Sequence, residues 1–491
     1  MEKLSYQTLK KQEYDGYLLE EAPVKVLQFG EGNFLRAFVD YFIDVMNEES
    51  GFNGKVTIVQ PIAQGLSDMI NEQDGLYTLF LRGRENGKKV NHKRIISCVE
   101  NCLNPYEEYG AYLDCAKNPE LRFLVSNTTE AGIVFENDCK LEDRPAKSFP
   151  GKLTQFLYER HQLGLDGFVI LSCELIEHNG EELKKCVQQY IELWNLGADF
   201  SNWVEHENIF CSTLVDRIVT GYPRGEAEEI CKEAGYQDNL IDTGEVFGFW
   251  VIEAPQSVKE EFPFEKAGLP ILVVDDHTPY KQRKVRILNG AHSSMVLAAY
   301  MAGQDIVRNC MEDQVICRFM NKAIYDEIIP TLTLPKEELM DFAKAVTERF
   351  NNPYIDHALL DISLNSTAKW KARVMPSLVD YAEKNGSLPA CLTFSFAAYI
   401  NFYHSGKELS GNILTGVRGE NTYPIRDDEW VLEFFFNHKD DNNKEISRAV
   451  IHNEQMWGDV LCNLKGFEDA VVKALDRIDE VGMYQAMKEC S

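Results

Sequence analysis

The chain has 491 residues, of which 44% are hydrophobic and 26% are charged, a composition typical of soluble globular proteins. A chain of this length is expected to form two or three domains. The formal net charge of −28 and the pI near 4.8 argue against a general nucleic-acid-binding protein and against a protein that coats anionic membranes. A locally basic pocket for a small anionic substrate stays compatible with this charge.

The thirteen cysteines include no C-x-x-C pair. An odd number without short paired spacings indicates reduced thiols scattered through the core, and no zinc site is expected. The N-terminal residues 1–6 lack the apolar core of a signal peptide. The most apolar late stretch, residues 388–403, is interrupted by polar residues and is short for a membrane span. These features predict a soluble, cytoplasmic protein.

The first predicted elements are a short strand, residues 24–29, and a helix whose apolar stripe runs from Phe34 to Met46. Gly30-Glu31-Gly32 stands between them. A strand, a glycine turn and a helix N-terminus form the arrangement that binds a pyrophosphate through backbone N–H groups. Leu35 occupies the third glycine position of the usual dinucleotide fingerprint, so a plain tight turn is an equally open interpretation.

The next predicted strand, residues 55–59, ends in Gln60-Pro61. An acidic residue near this point would bind the adenosine ribose of NAD. Gln60 can donate or accept a hydrogen bond but gives no charge preference. This strand alone therefore does not distinguish NAD from NADP.

Strands over residues 77–82 and 94–99 flank Glu85-Asn86-Gly87 and predict a hairpin. Beyond it, helical and strand patterns alternate, which predicts an α/β fold with a Rossmann-like nucleotide-binding domain and a mainly parallel sheet. Two polar segments, 127–130 and 174–179, follow strands of this sheet. Ligands of open sheets bind at such carboxyl ends, although these residues are individually more typical of loop caps. The predicted alternation comprises helices at 106–116, 152–163 and 181–196 and strands at 121–126 and 167–173.

The pattern changes after a last buried strand, residues 269–274. Long helical segments follow, which places a domain boundary near residues 276–284. We therefore predict a nucleotide-binding domain over residues 1–279 and an all-helical substrate and catalytic domain over residues 280–491. The predicted helices of the second domain include 314–329, 336–350, 368–383 and 467–487.

The segment 284–292 brings an amine, an amide and an imidazole together within nine residues. On an α-helix with about 100° per residue, Lys284, Asn289 and His292 would lie near 0°, 140° and 80°, on one side. Ketone reduction needs such a set, with a proton donor, a hydrogen-bond donor for the developing oxyanion and an orienting group. The alternative is that three polar residues share a solvated helix face. Their place at the predicted domain boundary favours a substrate cleft.

Taken together, these motifs resemble the mannitol dehydrogenase family of zinc-independent, long-chain polyol dehydrogenases. The resemblance covers nearly the whole chain. Its most specific parts are the segments 211–223 and 284–292, because a glycine turn alone is common. The segments that carry it are 27–38, 126–132, 173–176, 211–223 and 284–292.

The resemblance implies an NAD-dependent, metal-independent interconversion of D-altronate and D-tagaturonate in hexuronate breakdown. It assigns Lys284 as proton donor and acceptor, Asn289 as oxyanion donor and His292 as the residue that orients the substrate. The implied cofactor-binding loop consists of Leu27, Gln28, Phe29, Gly30, Glu31, Gly32, Asn33, Phe34, Leu35, Arg36, Ala37 and Phe38.

The substrate side is implied by positions that match the family less closely. Asn179 and Asp216 correspond to residues that line its substrate site. Relatives acting on mannitol or mannonate have histidines in an F-H-R-A-H version of the first loop, where this chain has Leu35 and Phe38. This difference favours the tagaturonate branch. A basic pair of the neutral-polyol enzymes is only half kept, since Lys369 matches but the arginine position falls at an aspartate.

A hexuronate carries a carboxylate, and an acidic protein must supply local cations to hold it. Lys369 and Arg373, at i and i+4 of one predicted helix, are the candidates, and a solvated basic helix face is the equally open alternative. Other substrates within the family are fructuronate and neutral polyols such as mannitol. A different class would be a catalytically silent sugar-acid sensor. Neither a nucleic acid nor a membrane is expected as a partner, and the sequence leaves the oligomeric state open.

Overall fold

The computed structural model describes residues 1–129 and 131–491, which group into two units. The first contains residues 1–83 and 89–277, and the second contains residues 84–88 and 278–491. Glu130, one of the polar residues expected at a strand end, lies outside the described residues. In the part of the chain that the structure describes, no helix is both long enough and apolar enough to span a bilayer.

The first unit is built on a twisted sheet, in which the described strands follow the order β11-β10-β8-β7-β6-β1-β2-β5. All neighbours run parallel except β8 and β10, so the expected mainly parallel Rossmann-type sheet is confirmed. The strands are β1 (Val24–Phe29), β2 (Lys55–Val59), β3 (Tyr77–Glu85), β4 (Lys88–Ile96), β5 (Val99–Leu103), β6 (Phe123–Ser126), β7 (Val169–Ser172), β8 (Ile209–Asp216), β9 (Asp242–Glu245), β10 (Phe249–Glu253) and β11 (Ile271–Val274).

Helices cover both faces of this sheet, because alternate strand residues point to opposite sides. Val26 of β1 joins a core with Phe38 and Trp250, whereas its neighbour Leu27 joins a separate core with Phe156. The helices of this unit are α1 (Tyr6–Lys11), α2 (Asn33–Ser50), α3 (Ser67–Asn71), α4 (Tyr109–Asp114), α5 (Phe149–Gln162), α6 (Asn179–Leu193), α7 (Ala198–Glu207), α8 (Ala227–Ala234) and α9 (Val258–Glu261).

The topology places a crevice beside β1. β1 pairs with β2 on one side and with β6 on the other, so the chain direction across the sheet reverses there. The carboxyl ends of strands at such a reversal point are where open α/β sheets bind dinucleotides.

The predicted hairpin around residues 85–87 is present as β3 and β4, which form a second small sheet with β9. Its tip, residues 84–88, belongs to the second unit rather than to the first. No pattern in the sequence indicated this assignment.

The second unit is helical, as expected, apart from a small antiparallel sheet between residues 408 and 425, which the expectation of an all-helical domain did not include. Its strands are β12 (Glu408–Ser410), β13 (Ile413–Arg418) and β14 (Asn421–Ile425). Its helices are α10 (Thr278–Arg283), α11 (Gly290–Met301), α12 (Val307–Glu312), α13 (Gln314–Lys322), α14 (Lys336–Phe350), α15 (Leu359–Ile362), α16 (Ser366–Arg373), α17 (Met375–Asn385), α18 (Ala390–His404), α19 (Glu429–Asn437), α20 (Asn443–Ile451), α21 (Glu454–Trp457), α22 (Phe467–Val481) and α23 (Met483–Cys490).

Two helices that the sequence pattern joined are each divided in the structure. The stretch 368–383 breaks at Val374, where Pro376 near the start of α17 removes a backbone donor. The stretch 467–487 breaks at Gly482, whose φ of 83° ends α22. Apolar periodicity continued across both breaks, so the pattern alone did not reveal them.

Candidate active site

The glycine turn after β1 has the backbone geometry that its sequence suggested. Gly30 has a φ of 128°, and a Cβ there would come within 3.0 Å of the Asn127 carbonyl oxygen and 3.1 Å of Leu35 Cδ1. Leu35, in the third glycine position, is therefore a packing residue that closes the turn. Gly32 is the N-cap residue of α2, and an added Cβ would meet no described atom within 4 Å. This open space in front of a helix N-terminus fits a pyrophosphate.

Arg36 holds the shape of this loop. Its guanidinium donates to the Glu31 carbonyl oxygen at 3.1 Å, to Asn33 Oδ1 at 2.6 Å and to the Leu240 carbonyl oxygen at 2.7 Å. The 211–223 motif packs against the glycine turn at Gly221, where an added Cβ would come within 2.4 Å of Asn33 Nδ2 and where a φ of 78° favours glycine. Two motifs far apart in the sequence thus meet at one loop.

The buried carboxyl group of Asp40 supports the glycine turn through Gln28. Gln28 Nε2 donates to the Gly30 carbonyl oxygen at 3.1 Å and lies 3.4 Å from Asp40 Oδ2, which also accepts from Tyr77 at 3.2 Å. Asp40 is fully buried, and burial raises its pKa to about 7. The same cause raises the pKa of Asp242, beside Arg36, to about 7.

A cavity of about 510 Å³ opens at the carboxyl edge of the sheet, and Phe34 of the loop is one of its walls. The buried Glu174 carboxylate organises the neighbouring segment by accepting from Ser126 Oγ at 3.1 Å and from the Thr128 backbone N–H at 3.0 Å. The cavity therefore has a fixed polar rim beside an apolar wall. Its lining residues are Phe34, Asn127, Thr129, Ala131, Leu175 and Val215.

Three residues considered in the sequence analysis are engaged by the protein itself. Asn179 is 1% exposed and uses both amide atoms on backbone groups, because Nδ2 donates to two carbonyl oxygens and Oδ1 accepts from Gly180 and Thr213. This geometry gives Asn179 a structural role between α6 and β8, and its contact with substrate stays a prediction. Asp216 is buried at the end of β8. Gln60 bonds within its own loop, to the Ile62 carbonyl oxygen and the Ser67 N–H.

In the second unit, residues 284–289 are helical but not α-helical. Lys284–Asn289 forms a π-helix, in which the Gly290 N–H donates to the Val285 carbonyl oxygen five residues earlier. The wider turn changes the angular spacing expected from an α-helix. Single π-turns inside helices are frequent at functional sites, because they redirect side chains that an α-helix would space evenly.

Two of the three candidate groups have unused hydrogen-bonding atoms. The partly exposed Asn289 amide has no hydrogen-bond partner among residues 1–129 and 131–491. His292 Nε2 is buried and likewise lacks a partner within the described chain. Lys284 is partly exposed at the first position of the π-turn. An unpaired amide and an unpaired imidazole nitrogen can bind the oxygens of a polyol or keto-sugar.

The His292 ring lies among aromatic and basic side chains. It stacks on Phe350 with a centroid distance of 3.9 Å and an interplanar angle of 7°, and it meets His357 edge to face at 5.7 Å. Burial lowers the pKa of His292 well below its usual value, and the positive field of nearby cations lowers it further. The neutral imidazole is therefore the resting form.

Lys369 and Arg373 lie on α16, which packs closely against the π-turn. A Cβ at Gly290 would come within 3.0 Å of the Arg373 carbonyl oxygen, so glycine permits this approach. Lys369 Nζ donates to the Ile362 carbonyl oxygen at 2.9 Å. Burial lowers the pKa of Lys369, helped by repulsion from Arg373, and burial also lowers the pKa of Arg373. Both side chains are partly buried, and both act electrostatically on His292.

Three residues around His292 were not predicted from the sequence, namely Arg349, Phe350 and His357. They lie at the end of α14 and in the loop after it, and their sequence segment contains no recognisable motif. Only their proximity to His292 identifies them.

One group in the described part of the chain offers metal-ligand atoms within 4.8 Å of one another, namely Glu253, Asp276 and His277 in the first unit. Glu253 Oε2 and His277 Nδ1 already form a hydrogen bond of 2.6 Å. The hydrogen bond between Glu253 and His277 explains why these two groups lie close together, and no metal ion is needed to explain it.

Comparison with known proteins assigns both parts of the chain to one family. Residues 24–266 match the mannitol dehydrogenase Rossmann domain, and residues 276–479 match the mannitol dehydrogenase C-terminal domain. A protein of Phocaeicola vulgatus named altronate oxidoreductase is 43% identical over 472 residues, covering 95% of this chain and 97% of its own. An altronate oxidoreductase of Escherichia coli (strain K12) is 44% identical over 492 residues, covering 98% and 99%.

Two solved structures share the fold along the whole chain. A D-sorbitol dehydrogenase in substrate-free form has a TM-score of 0.80 at 21% identity, covering 99% of this chain and 100% of its own. The mannitol 2-dehydrogenase of Pseudomonas fluorescens, in a ternary complex with NAD and D-mannitol, has a TM-score of 0.67 at 22% identity and covers 99% of each chain. The resemblance seen in the sequence motifs is confirmed, and the chain belongs to the mannitol dehydrogenase family of oxidoreductases.

Proposed function

We propose that the protein is an NAD-dependent oxidoreductase that interconverts D-tagaturonate and D-altronate. The observation that carries the substrate assignment is the state of Arg373. This partly buried guanidinium has no hydrogen bond or ion pair with any residue in the described ranges, although the chain has 78 acidic residues and a net charge of −28. Burying an unpaired cation costs free energy, and an anionic substrate bound to Arg373 would offset this cost. The similarity to proteins named altronate oxidoreductase supports the same substrate.

The first unit would hold the cofactor. The open space at Gly32 and the N-terminus of α2 suit the pyrophosphate, and the cavity beside Phe34 suits a ring and its ribose. Bound there, NADH would supply a hydride to the substrate carbonyl carbon, and NAD would accept one in the reverse direction.

The second unit would supply the proton and orient the substrate. Lys284 donates a proton to the carbonyl oxygen during reduction and accepts it during oxidation. The Asn289 amide donates a hydrogen bond to the oxygen as negative charge develops there. Neutral His292 orients a substrate hydroxyl through Nε2. Lys369 and Arg373 bind the carboxylate, because charge-assisted bonds to a carboxylate are the stronger class of hydrogen bond.

In this proposal the reaction needs no metal ion, because Lys284 performs the acid–base step. The enzyme acts in the cytoplasm, in agreement with its thirteen free cysteines, and neither a nucleic acid nor a membrane takes part.

NADH oxidation with tagaturonate, fructuronate and fructose at equal concentrations tests the assignment. We expect the highest kcat/KM with tagaturonate. A preference for fructuronate would indicate the sister activity, and a preference for fructose would overturn the uronate assignment. NADH binding without turnover of any of the three would indicate a catalytically silent sensor.

A further inference from the structure

Phe350 covers one face of the His292 imidazole. The two rings are almost parallel, at 7°, with a centroid distance of 3.9 Å. Phe350 is only 6% exposed, so packing confines its own ring. A flat wall at van der Waals distance prevents the imidazole from rotating about its Cβ–Cγ bond. Such rotation would turn the unpaired Nε2 away from its present direction.

Phe350 is the last residue of α14, a position where helices commonly fray. The five residues of the hairpin tip that belong to the second unit hold this helix end on both sides of Phe350. Arg84 Nε donates to the Asn351 carbonyl oxygen at 2.9 Å, and the Gly87 N–H donates to Glu348 Oε1 at 3.0 Å. Arg84 also donates to the Gly87 carbonyl oxygen at 3.0 Å, which closes the tip.

We propose that Phe350 is a positioning residue that fixes the imidazole plane of His292, and that the hairpin tip 84–88 fixes the helix end that carries Phe350. Neither needs to touch the substrate. This inference rests on the proposed role of His292, but its structural part concerns only contacts inside the second unit.

Removing Phe350 should change the pKa of His292, whereas general destabilisation of the fold should not. The groups acting on His292 are His357, Arg349, Arg373 and Lys369, all of which lower its pKa, but burial is the largest cause. Phe350→Ala would admit water to one face of the ring and reduce the burial, so the pKa would rise toward its ordinary value near 6.5. The variant should therefore lose activity as the pH falls toward 6, whereas the parent should not show this acid limb.

The experiment compares Phe350→Ala, Phe350→Leu and Phe350→Tyr with the parent in kcat, KM, NADH affinity and pH profile. Misplacement of an orienting group costs roughly ten- to a hundredfold in kcat/KM. We expect losses of this order for Ala and Leu, unchanged NADH binding, an acid limb for Ala, and rescue by Tyr, which keeps the ring. Arg84→Ala should also lower kcat/KM and produce an acid limb, but both effects should be smaller than those of Phe350→Ala.

Phe319→Leu is the matched control, because Phe319 is a fully buried phenylalanine of the same unit that packs on Phe394. NMR titration of the His292 imidazole, assigned with His292→Asn, needs no substrate and separates this inference from the proposed function. A pKa of His292 unchanged in Phe350→Ala, or equal losses of kcat/KM in Phe350→Leu and Phe319→Leu, would overturn the inference. Failure of the parent to reduce keto-uronates, with the pKa shift present, would instead overturn the proposed substrate.

Discussion

Individual side chains in the second unit are distinguished by the hydrogen bonds they do not make. The buried Nε2 of His292 and the partly buried guanidinium of Arg373 have no hydrogen-bond partner in the described chain, and each is therefore available to a ligand. Both lie near the π-turn that begins at Lys284. In the proposed function, both groups bind a polar, anionic substrate.

Lys284→Ala should lower kcat by about 10²- to 10⁴-fold, because it removes the acid–base group. NADH affinity, measured by fluorescence titration, should stay unchanged because the first unit is intact. Lys344→Ala, which changes an exposed lysine of α14, is the control and should behave like the parent. Near-normal turnover by Lys284→Ala would refute the assigned role.

Lys369→Met should raise the KM for tagaturonate by about ten- to a hundredfold, the equivalent of one charge-assisted contact, with a smaller effect on fructose. Lys371→Met, two residues further along α16, provides the control for a change of helix charge. Steady-state kinetics with both substrates provide the measurement. Equal losses with both would show that Lys369 does not bind the carboxylate.

At the scale of single elements, the turn from β1 into α2 combines an open ligand face with a tightly packed interior. Gly32 faces empty space, whereas the interior holds Gln28 and a buried carboxyl group on Asp40. The outer face suits ligand binding, and the inner face affects stability.

Gly32→Val should abolish or strongly weaken NADH binding, because the side chain would fill the space proposed for the pyrophosphate. Gly225→Val is the control, since Gly225 is exposed and an added Cβ there also meets no described atom within 4 Å. Fluorescence titration with NADH should show loss in the first variant alone. Equal affinity in both would remove the nucleotide-loop assignment.

Asp40→Asn should stabilise the protein above neutral pH. The pKa of Asp40 is about 7 in the folded protein and 3.8 for the unperturbed group, so the folded state retains a proton between these values that the unfolded chain has released. Stability then falls as pH rises through this window, by up to about 1.4 kcal/mol per pH unit. Asparagine mimics the protonated form and removes this loss.

Thermal unfolding from pH 4 to 8 measures the effect as the difference in midpoint between Asp40→Asn and the parent. The difference should increase up to about pH 7 and then level off. Asp15→Asn, at an exposed site, should show no such trend. A difference that is constant with pH would contradict the assigned titration.

The whole chain joins a Rossmann-type unit to a mainly helical unit, and the proposed chemistry uses groups from both. In the proposed function, every step assigned to the protein uses amine, amide, imidazole or guanidinium side chains. A test of whether activity requires a metal ion therefore distinguishes this mechanism from a metal-assisted one.

Exhaustive dialysis against a chelator should leave the kcat of the parent unchanged if, as proposed, Lys284 supplies the proton. Elemental analysis before and after dialysis should accompany the assay, since Glu253, Asp276 and His277 could retain an ion. Activity that disappears with the chelator and returns with a divalent cation would contradict the metal-independent mechanism. Glu253→Gln would then test whether this group holds the ion.

The sequence alone determined the features that depend on residues close together in the chain. These are the strand and glycine turn before α2, the helix Lys336–Phe350, the Lys284–His292 motif and the family. Periodicity and spacing along the chain are enough to specify the strand, the helices and the motif, whereas the family was indicated by the resemblance of the motifs to a known family.

The tertiary structure decided the features that depend on packing between distant segments. These features are the π-turn at Lys284, the fully hydrogen-bonded amide of Asn179 and the stacking of Phe350 on His292. They also include the lack of a partner for Arg373 among the described residues. An internal π-turn shifts the apolar pattern by only one residue, a change too small to recognise in a short helical segment. Whether a polar atom is paired depends on which remote residues become its neighbours, and local sequence does not encode that.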